Sequence, residues 1–152
     1  MKLFSTFRKH PLKWSFLGLL LLFWLFSLPS PLFEDPYSLV LEDAEGKLLS
    51  AKIAEDGQWR FPAPETIPTK FEKAILTFED KRFRYHPGVD PISFGRAIIQ
   101  NLKAGKVVSG GSTLTMQVIR LSRKGKSRTI WEKIIEVWLA TRLELTHSKD
   151  EF

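Results

Sequence analysis

Residues Glu79-Asp80-Lys81-Arg82-Phe83-Arg84-Tyr85-His86-Pro87-Gly88-Val89-Asp90 combine paired acids, three cations and a histidine in one short stretch. The pattern before it is helical, which puts Glu79 and Asp80 at a helix C-terminal end. An acid is disfavoured there unless cations compensate. Lys81, Arg82 and Arg84 stand ready to do so. A glutamate beside such a cation set suits a general base acting on a substrate held by its phosphates. The plainer reading of the same residues is a solvated helix end.

Gly110-Gly111-Ser112-Thr113-Leu114-Thr115-Met116-Gln117 is the second group. Two glycines let a backbone approach a ligand closely, and free amides at a helix start suit a phosphate. Ser112, Thr113, Thr115 and Gln117 add neutral polar contacts. The spacing is not that of a Walker loop, and an ordinary Gly-Gly turn with a serine cap is the plainer alternative. The third group is the basic run Arg123-Lys124-Gly125-Lys126-Ser127-Arg128, followed by Lys133 and Glu136. Lys133 and Glu136 are i,i+3 and share a helix face. That face is expected to lie away from a Trp131/Trp138 stripe, and a solvated ion pair is its ordinary alternative.

These residues need elements to hold them. Thr69-Lys70-Phe71-Glu72 reads as a capping box with Thr69 at N-cap, and Phe71, Ala74, Ile75 and Phe78 follow as an apolar stripe. Asp90-Pro91 opens a second helix with Pro at its first position; Ala97, Ile98 and Leu102 are expected to face inward, and Gly105 to stop it. Ser112 is the expected N-cap of a third helix. A fourth is predicted from about Arg128 to Leu145, with Trp131, Ile134, Ile135, Trp138 and Leu145 inward. Ahead of these, Ser38–Leu41 and Leu48–Ile53 alternate around Asp43-Ala44-Glu45-Gly46. Asp56-Gly57 leads into Gln58-Trp59-Arg60-Phe61, so a small antiparallel meander is predicted.

The N-terminus reads as a membrane segment. Trp14 to Leu28, WSFLGLLLLFWLFSL, carries no charge, and Lys2, Arg8, Lys9 and Lys13 all precede it. The stretch is short for a bilayer but workable, and the one-sided cations place Met1–Lys13 in the cytoplasm and the rest outside. A cleaved signal peptide fits less well, because the run ends in Leu-Pro-Ser-Pro-Leu and lacks a small-x-small site. Pro29, Pro31 and Pro36 then form a stiff spacer. The organisation expected is a cytoplasmic tail at 1–13, an anchor at 14–28, spacer and meander at 29–61, and a mainly helical domain at 62–152.

Composition narrows the classes of function. With 152 residues, 43% hydrophobic and 26% charged, the chain is a domain-sized globular sequence and not a disordered one. There is no cysteine, which excludes disulfides, thiolate zinc sites and a cysteine nucleophile. The three histidines, His10, His86 and His147, are scattered and do not make a His-rich metal site. The net charge of +6 divides into +4 over residues 1–28, −6 over 29–80 and +8 over 81–152. Between Asp90 and Glu132 there is no acid at all. The basic half favours an anionic partner. Nucleic acid fits poorly, since that half is expected outside the membrane.

In this order, behind such an anchor, the motifs resemble the peptidoglycan glycosyltransferase domain, glycosyltransferase family 51, of class A penicillin-binding proteins and monofunctional transglycosylases. The residues are Glu79-Asp80-x-x-Phe83-x-x-His86-x-Gly88-Val89-Asp90, then Gly110-Gly111-Ser112-Thr113-x-Thr115-x-Gln117, then Arg128…Lys133-x-x-Glu136. Met116 and the Asp56-Gly57-x-Trp59-Arg60 segment look most like the penicillin-binding protein 1C type. The resemblance implies a lysozyme-like helical lobe in the bacterial inner membrane, in a single-pass protein with its domain on the periplasmic side. It implies polymerisation of lipid II onto a growing glycan strand in cell-wall synthesis, alongside other cell-wall synthesis proteins. Glu79 corresponds to the general base on the acceptor 4-hydroxyl, and Glu136 to the second glutamate near the donor diphosphate. Lys133 and Arg128 correspond to cations facing the leaving diphosphate. Gly110, Gly111, Ser112, Thr113 and Gln117 correspond to the phosphate-side loop. Asp80 and His86 correspond to residues that hold the first motif in shape, and Asp80, Arg82 and His86 are expected on the substrate-binding side. Some members use a divalent cation such as Mg at the diphosphate; no cage for one is visible in these residues.

Two departures from the family pattern stand out. Glu132 precedes Lys133 where many members carry a cation, and it could pair with Arg128 at i,i+4 or weaken the diphosphate site. Ser148-Lys149-Asp150-Glu151-Phe152 looks like the start of a family segment that continues. On that expectation the 152 residues alone have little glycosyltransferase activity. The alternative to an enzyme is then a membrane-anchored fragment that binds lipid II, or another anionic partner, without turnover.

Overall fold

The computed structural model describes residues 11–62, 64, 66–124 and 126–151. Most of the expected cytoplasmic tail, and Gly125 of the basic run, therefore lie outside the described residues. The chain is mainly helical, with one two-stranded sheet. Helix α1 spans Pro11–Leu25, strands β1 and β2 span Leu39–Glu42 and Leu48–Lys52, and α2 spans Thr69–Glu79. A single 3-10 turn, Phe83–Tyr85, leads to α3 (Pro91–Ala104), α4 (Leu114–Ser122) and α5 (Ile130–Thr146).

The uncharged N-terminal run forms a 15-residue helix that begins and ends three residues earlier than expected. Among the described residues no helix is long and apolar enough to cross a membrane. No residue of α1 is buried, yet its C-terminal end is docked. The Trp24 indole Nε1 donates to the Trp138 carbonyl at 3.2 Å and lies 3.3 Å from the Thr141 hydroxyl. In return the Trp138 Nε1 donates to Ser27 Oγ at 3.2 Å, and Arg142 Nε donates to the Leu25 carbonyl at 2.8 Å. Leu28 and Leu32 then pack against the core.

Strands β1 and β2 pair antiparallel, with a register shift between Leu41 and Glu42. The Asp43 carboxylate closes their turn by accepting from the Glu45 and Lys47 amides. The expected third strand does not form: Gln58–Phe61 is irregular and tied to Ser38, whose amide donates to the Arg60 carbonyl at 2.8 Å. Arg60 pairs with Asp56 at 2.7 Å, and Lys124, just past α4, contacts both Asp35 and Asp56. The Arg60 hydrogen bond leads the influences that hold the Asp56 carboxyl down at about 2. The hairpin is thus fastened to the helices by ions, not by a shared core.

The core is small. Met116 and Ile119 of α4 meet Leu139, Ala140 and Leu143 of α5. Several expected inward stripes face solvent instead. Phe71 and Phe78 of α2, Ile98 and Leu102 of α3, and Trp131, Ile134 and Leu145 of α5 are all exposed, while Ile135 and Trp138 are half-buried on the core. Of the α3 trio only Ala97 is buried. The caps also differ from expectation. Pro68, not Thr69, is the N-cap of α2, and it makes no side-chain cap bond. Thr113, not Ser112, caps α4 by accepting from the Met116 amide. Asp90 caps α3 as expected, with Pro91 first and Gly105 closing it in the left-handed region at φ 63°. Helix α5 begins at Ile130 behind a Thr129 cap, two residues later than expected.

Trp24→Phe keeps the ring and removes both indole hydrogen bonds. It is expected to lower unfolding stability by about 1–2 kcal/mol, read by denaturant titration of the detergent-solubilised chain. An unchanged midpoint would mean that α1 is not docked on α5.

Candidate active site

Helix α2 ends on Glu79, whose exposed carboxylate projects beside α4, where Gln117 Nε2 donates to its Oε2 at 2.8 Å. The next residue, Asp80, turns inward and is 5% exposed. Its carboxylate takes His86 Nε2 at 2.9 and 3.0 Å and the Leu114 backbone amide at 3.0 Å. A carboxylate only accepts, so the His86 proton sits on Nε2. Nδ1 of His86 is buried and has no hydrogen-bond partner among the described residues. Asp80 and His86 are therefore a framework pair, joining the end of α2, the following turn and the start of α4.

Arg82 faces this framework as well. Its guanidinium lies 2.7 Å from Asp90 Oδ2 and donates to Ser93 Oγ at 3.0 Å. Asp90 in turn accepts from the Ile92 and Ser93 amides at the head of α3. Burial works against ionising Asp90, but the Arg82 bond and the Ser93 and Ile92 contacts outweigh it and hold its carboxyl at about 2.

Gly110 and Gly111 have different roles. A Cβ on Gly110 would meet nothing within 4 Å, whereas one on Gly111 would come within 2.8 Å of the Phe94 Cα. Gly111 lets the loop press onto α3. Gly88 is more constrained still: φ is 86°, and a Cβ would approach the Ala140 carbonyl oxygen to 2.6 Å. Thr113 is 1% exposed and donates to the Gly88 carbonyl at 2.6 Å, so it too is framework. Ser112 is the pivot. Its hydroxyl contacts Lys133 Nζ at 2.6 Å, and Lys133 Nζ lies 2.9 Å from Glu136 Oε2. Glu136 is 7% exposed, so the Lys133–Glu136 pair is not the solvated ion pair of the plainer reading, and its face packs into the protein while Trp131 is exposed.

Two clefts flank Ser112. The larger, of about 620 Å³, is lined by α3, the glycine loop and the start of α5, and it takes in Gly110, Gly111, Ser112, Arg128, Lys133 and Glu136. The smaller, of about 160 Å³, takes in Glu79, Asp80, Arg82, Ser112 and Thr113. The acid of the first motif and the cations of the third thus stand in neighbouring clefts that share Ser112. Glu132 does not pair with Arg128. It holds Arg123 in two bonds of 3.0 and 3.1 Å, and Arg128 remains a lining residue of the larger cleft. Among the described residues no three carboxylate or imidazole side chains converge as metal donors.

A family model described as Transglycosylase matches residues 45–152. The chain belongs to the transglycosylase family. It is 41% identical over 124 residues to penicillin-binding protein 1C of Escherichia coli, covering 81% of this chain and 16% of that protein. To penicillin-binding protein 1A/1B of Bacillus subtilis it is 38% identical over 127 residues, covering 82% of this chain and 14% of the relative. To penicillin-binding protein 1B of Vibrio cholerae it is 41% identical over 107 residues, with 70% and 14% covered. The chain thus spans well under a fifth of the length of these relatives.

Reading by residue type singled out Thr115 as a polar contact of the glycine loop but missed Glu144 and Lys149, which sit half-buried behind that loop. A signal was available: Glu136, Ala140 and Glu144 recur at i, i+4 and i+8, which puts two acids on the face that carries the core alanine.

Asp90 generates a pH prediction. Its folded value of about 2 lies below the ordinary 3.8, so its stabilisation is complete above about pH 4 and is lost as pH falls toward 2. The contribution is roughly 2 kcal/mol. Asp90→Asn is expected to be less stable than the unchanged chain at pH 6 and to show a flatter loss of stability between pH 4 and 2, followed by circular dichroism. Parallel curves for the two proteins would refute the assignment.

Proposed function

We propose that the chain carries the catalytic chemistry of a peptidoglycan glycosyltransferase that polymerises lipid II into glycan strands during cell-wall synthesis. The observation that carries this reading is the shared Ser112. It puts an exposed carboxylate, Glu79, and a cation-lined cleft, with Lys133 and Arg128, on the two sides of one short loop. A glycosyl transfer between two phosphate-linked sugars needs that arrangement: a base at the acceptor hydroxyl and cations at the leaving diphosphate.

In this reading the acceptor's 4-hydroxyl gives its proton to Glu79 while its oxygen bonds to the donor's anomeric carbon. The bond from that carbon to the lipid diphosphate breaks. The charge that develops on the departing diphosphate faces Lys133 and Arg128, with Ser112 and the Gly110–Gly111 backbone beside it. Glu136, paired with Lys133, fixes that ammonium and limits its reach. Gln117 orients Glu79. The helices supply part of a lysozyme-like lobe. The uncharged segment Trp14–Leu28, with Lys2, Arg8, Lys9 and Lys13 ahead of it, acts as a single-pass anchor with the N-terminus in the cytoplasm and the domain outside, where a lipid-linked substrate and the growing strand are met.

The test is polymerisation of labelled lipid II. Glu79→Gln is expected to lower the rate by about 10²–10⁴ while leaving lipid II binding largely intact, because a base acts on the transition state. Lys133→Met is expected to cost about 10²–10³. A Glu79→Gln protein at the parental rate would remove Glu79 from the mechanism. If the unchanged chain bound lipid II but formed no glycan, it would be a binder and not a polymerase. The anchor is checked separately: the chain should stay in the membrane fraction at high salt, and a reporter after its last residue should be exported.

A further inference from the structure

Glu144, on the last turns of α5, takes part in none of the chemistry assigned so far. Its side chain is 6% exposed, a depth at which a carboxylate must be paired and hydrogen-bonded to be tolerated. Separate segments supply those contacts. Thr115, fully buried in the first turn of α4, donates its hydroxyl to Glu144 Oε1 at 2.5 Å. Lys149, beyond the end of α5, brings Nζ to 2.5 Å from the same oxygen and stands 4.1 Å from the centre of the Phe83 ring. The turn after Phe83 presses on the same spot, since a Cβ on Gly88 would lie 3.1 Å from Glu144 Cγ. Thr113 ties that turn back to α4 through its bond to the Gly88 carbonyl.

We propose that Glu144 is a positioning residue for the reaction proposed above, resting on that reading: it locks the start of α4 where Gln117 meets Glu79 and Ser112 meets Lys133. Thr115 lies between those two site residues in sequence. The apolar contacts of α4, Met116 and Ile119 on α5, resist separation of the helices but fix rotation about the α4 axis only weakly. A hydroxyl bonded to a buried carboxylate is directional and charge-assisted, and it sets that rotation. A small rotation of α4 would carry Ser112 and Gln117 in opposite senses relative to their partners, separating the two halves of the site. Glu144 lines neither cleft, so a change there reaches the substrate only through α4.

The experiment compares Glu144→Ala, Glu144→Gln and Leu143→Ala in the full chain. Leu143→Ala is the control for loss of packing at the neighbouring core position. Amide hydrogen exchange is measured over 112–118, over the hairpin at 39–52 and over the rest of α5. The kcat and KM for lipid II polymerisation are measured on the same samples. Glu144→Ala is expected to speed exchange over 112–118 by about tenfold or more while leaving the hairpin unchanged. It is expected to lower kcat by about 10–100-fold with KM within about twofold. Glu144→Gln keeps an acceptor for Thr115 and should stay within about threefold of the unchanged chain on both measures. Leu143→Ala should loosen α4 and α5 together. The proposal is overturned if Glu144→Ala matches the Leu143→Ala exchange pattern, if exchange over 112–118 does not change, or if Gln is no better than Ala. Should the unchanged chain form no glycan, the polymerase reading fails, and the exchange comparison still decides the positioning role.

Discussion

The bond from the Leu114 amide to the Asp80 carboxylate is the contact on which the site depends. A buried carboxylate is costly, and Asp80 is nearly inaccessible. The cost is offset by one imidazole N–H and by a free amide at the head of α4, where the helix dipole favours negative charge. Because Asp80 follows Glu79 directly, pinning the first to α4 brings the second alongside Gln117. The residue that would do chemistry is exposed, and its neighbour in sequence bears the burden of holding it.

The same division of labour runs through the other motifs. Of the glycine-loop residues, Thr113 and Gly111 serve packing, and Ser112 alone faces both clefts. In the third motif Lys133 reaches the loop while Glu136 is buried behind it. The cleft-facing side chains are thus few and are carried by a polar scaffold, with the buried apolar core centred on the contact between α4 and α5. Directional bonds replace packing volume as the source of precision, which explains why so many buried groups here are threonines and carboxylates.

That balance also explains what could be read from the residues in advance. The helices, the Asp90-Pro91 start, the Gly105 stop and the hairpin were all legible, because caps, periodicity and turn residues are local features. The inward faces were not. Phe71, Phe78, Ile98, Leu102, Trp131 and Ile134 have correct helical spacing yet lie exposed, since periodicity says that a face is apolar and not that another element covers it. Ser112 and Thr113 were equally good caps by type. Thr113 prevails because the Gly88 carbonyl gives its hydroxyl a second partner. The grouping of Glu79 with Gln117, and of Ser112 with Lys133, depended on tertiary contacts that only the family resemblance could anticipate. Glu144 escaped because an acid near a helix end reads as solvated until the partner segments are in place.

The charge next to the larger cleft shows how a local departure can be neutral in three dimensions. An acid at position 132 adjoins Lys133 in sequence and would weaken a diphosphate site if it shared that lysine's face. Glu132 does line the larger cleft with Lys133, so what limits its effect is the cation that its carboxylate engages. Glu132 takes a two-bond hold on Arg123, at the end of α4. A bidentate pair of this kind is geometrically specific, and it spans the connection that carries the basic run. Arg128 lies on that connection, between the two clamped ends. Glu132 thus holds in shape the segment that presents Arg128 to the cleft, and the cationic character there survives through Lys133, Arg128 and Lys126.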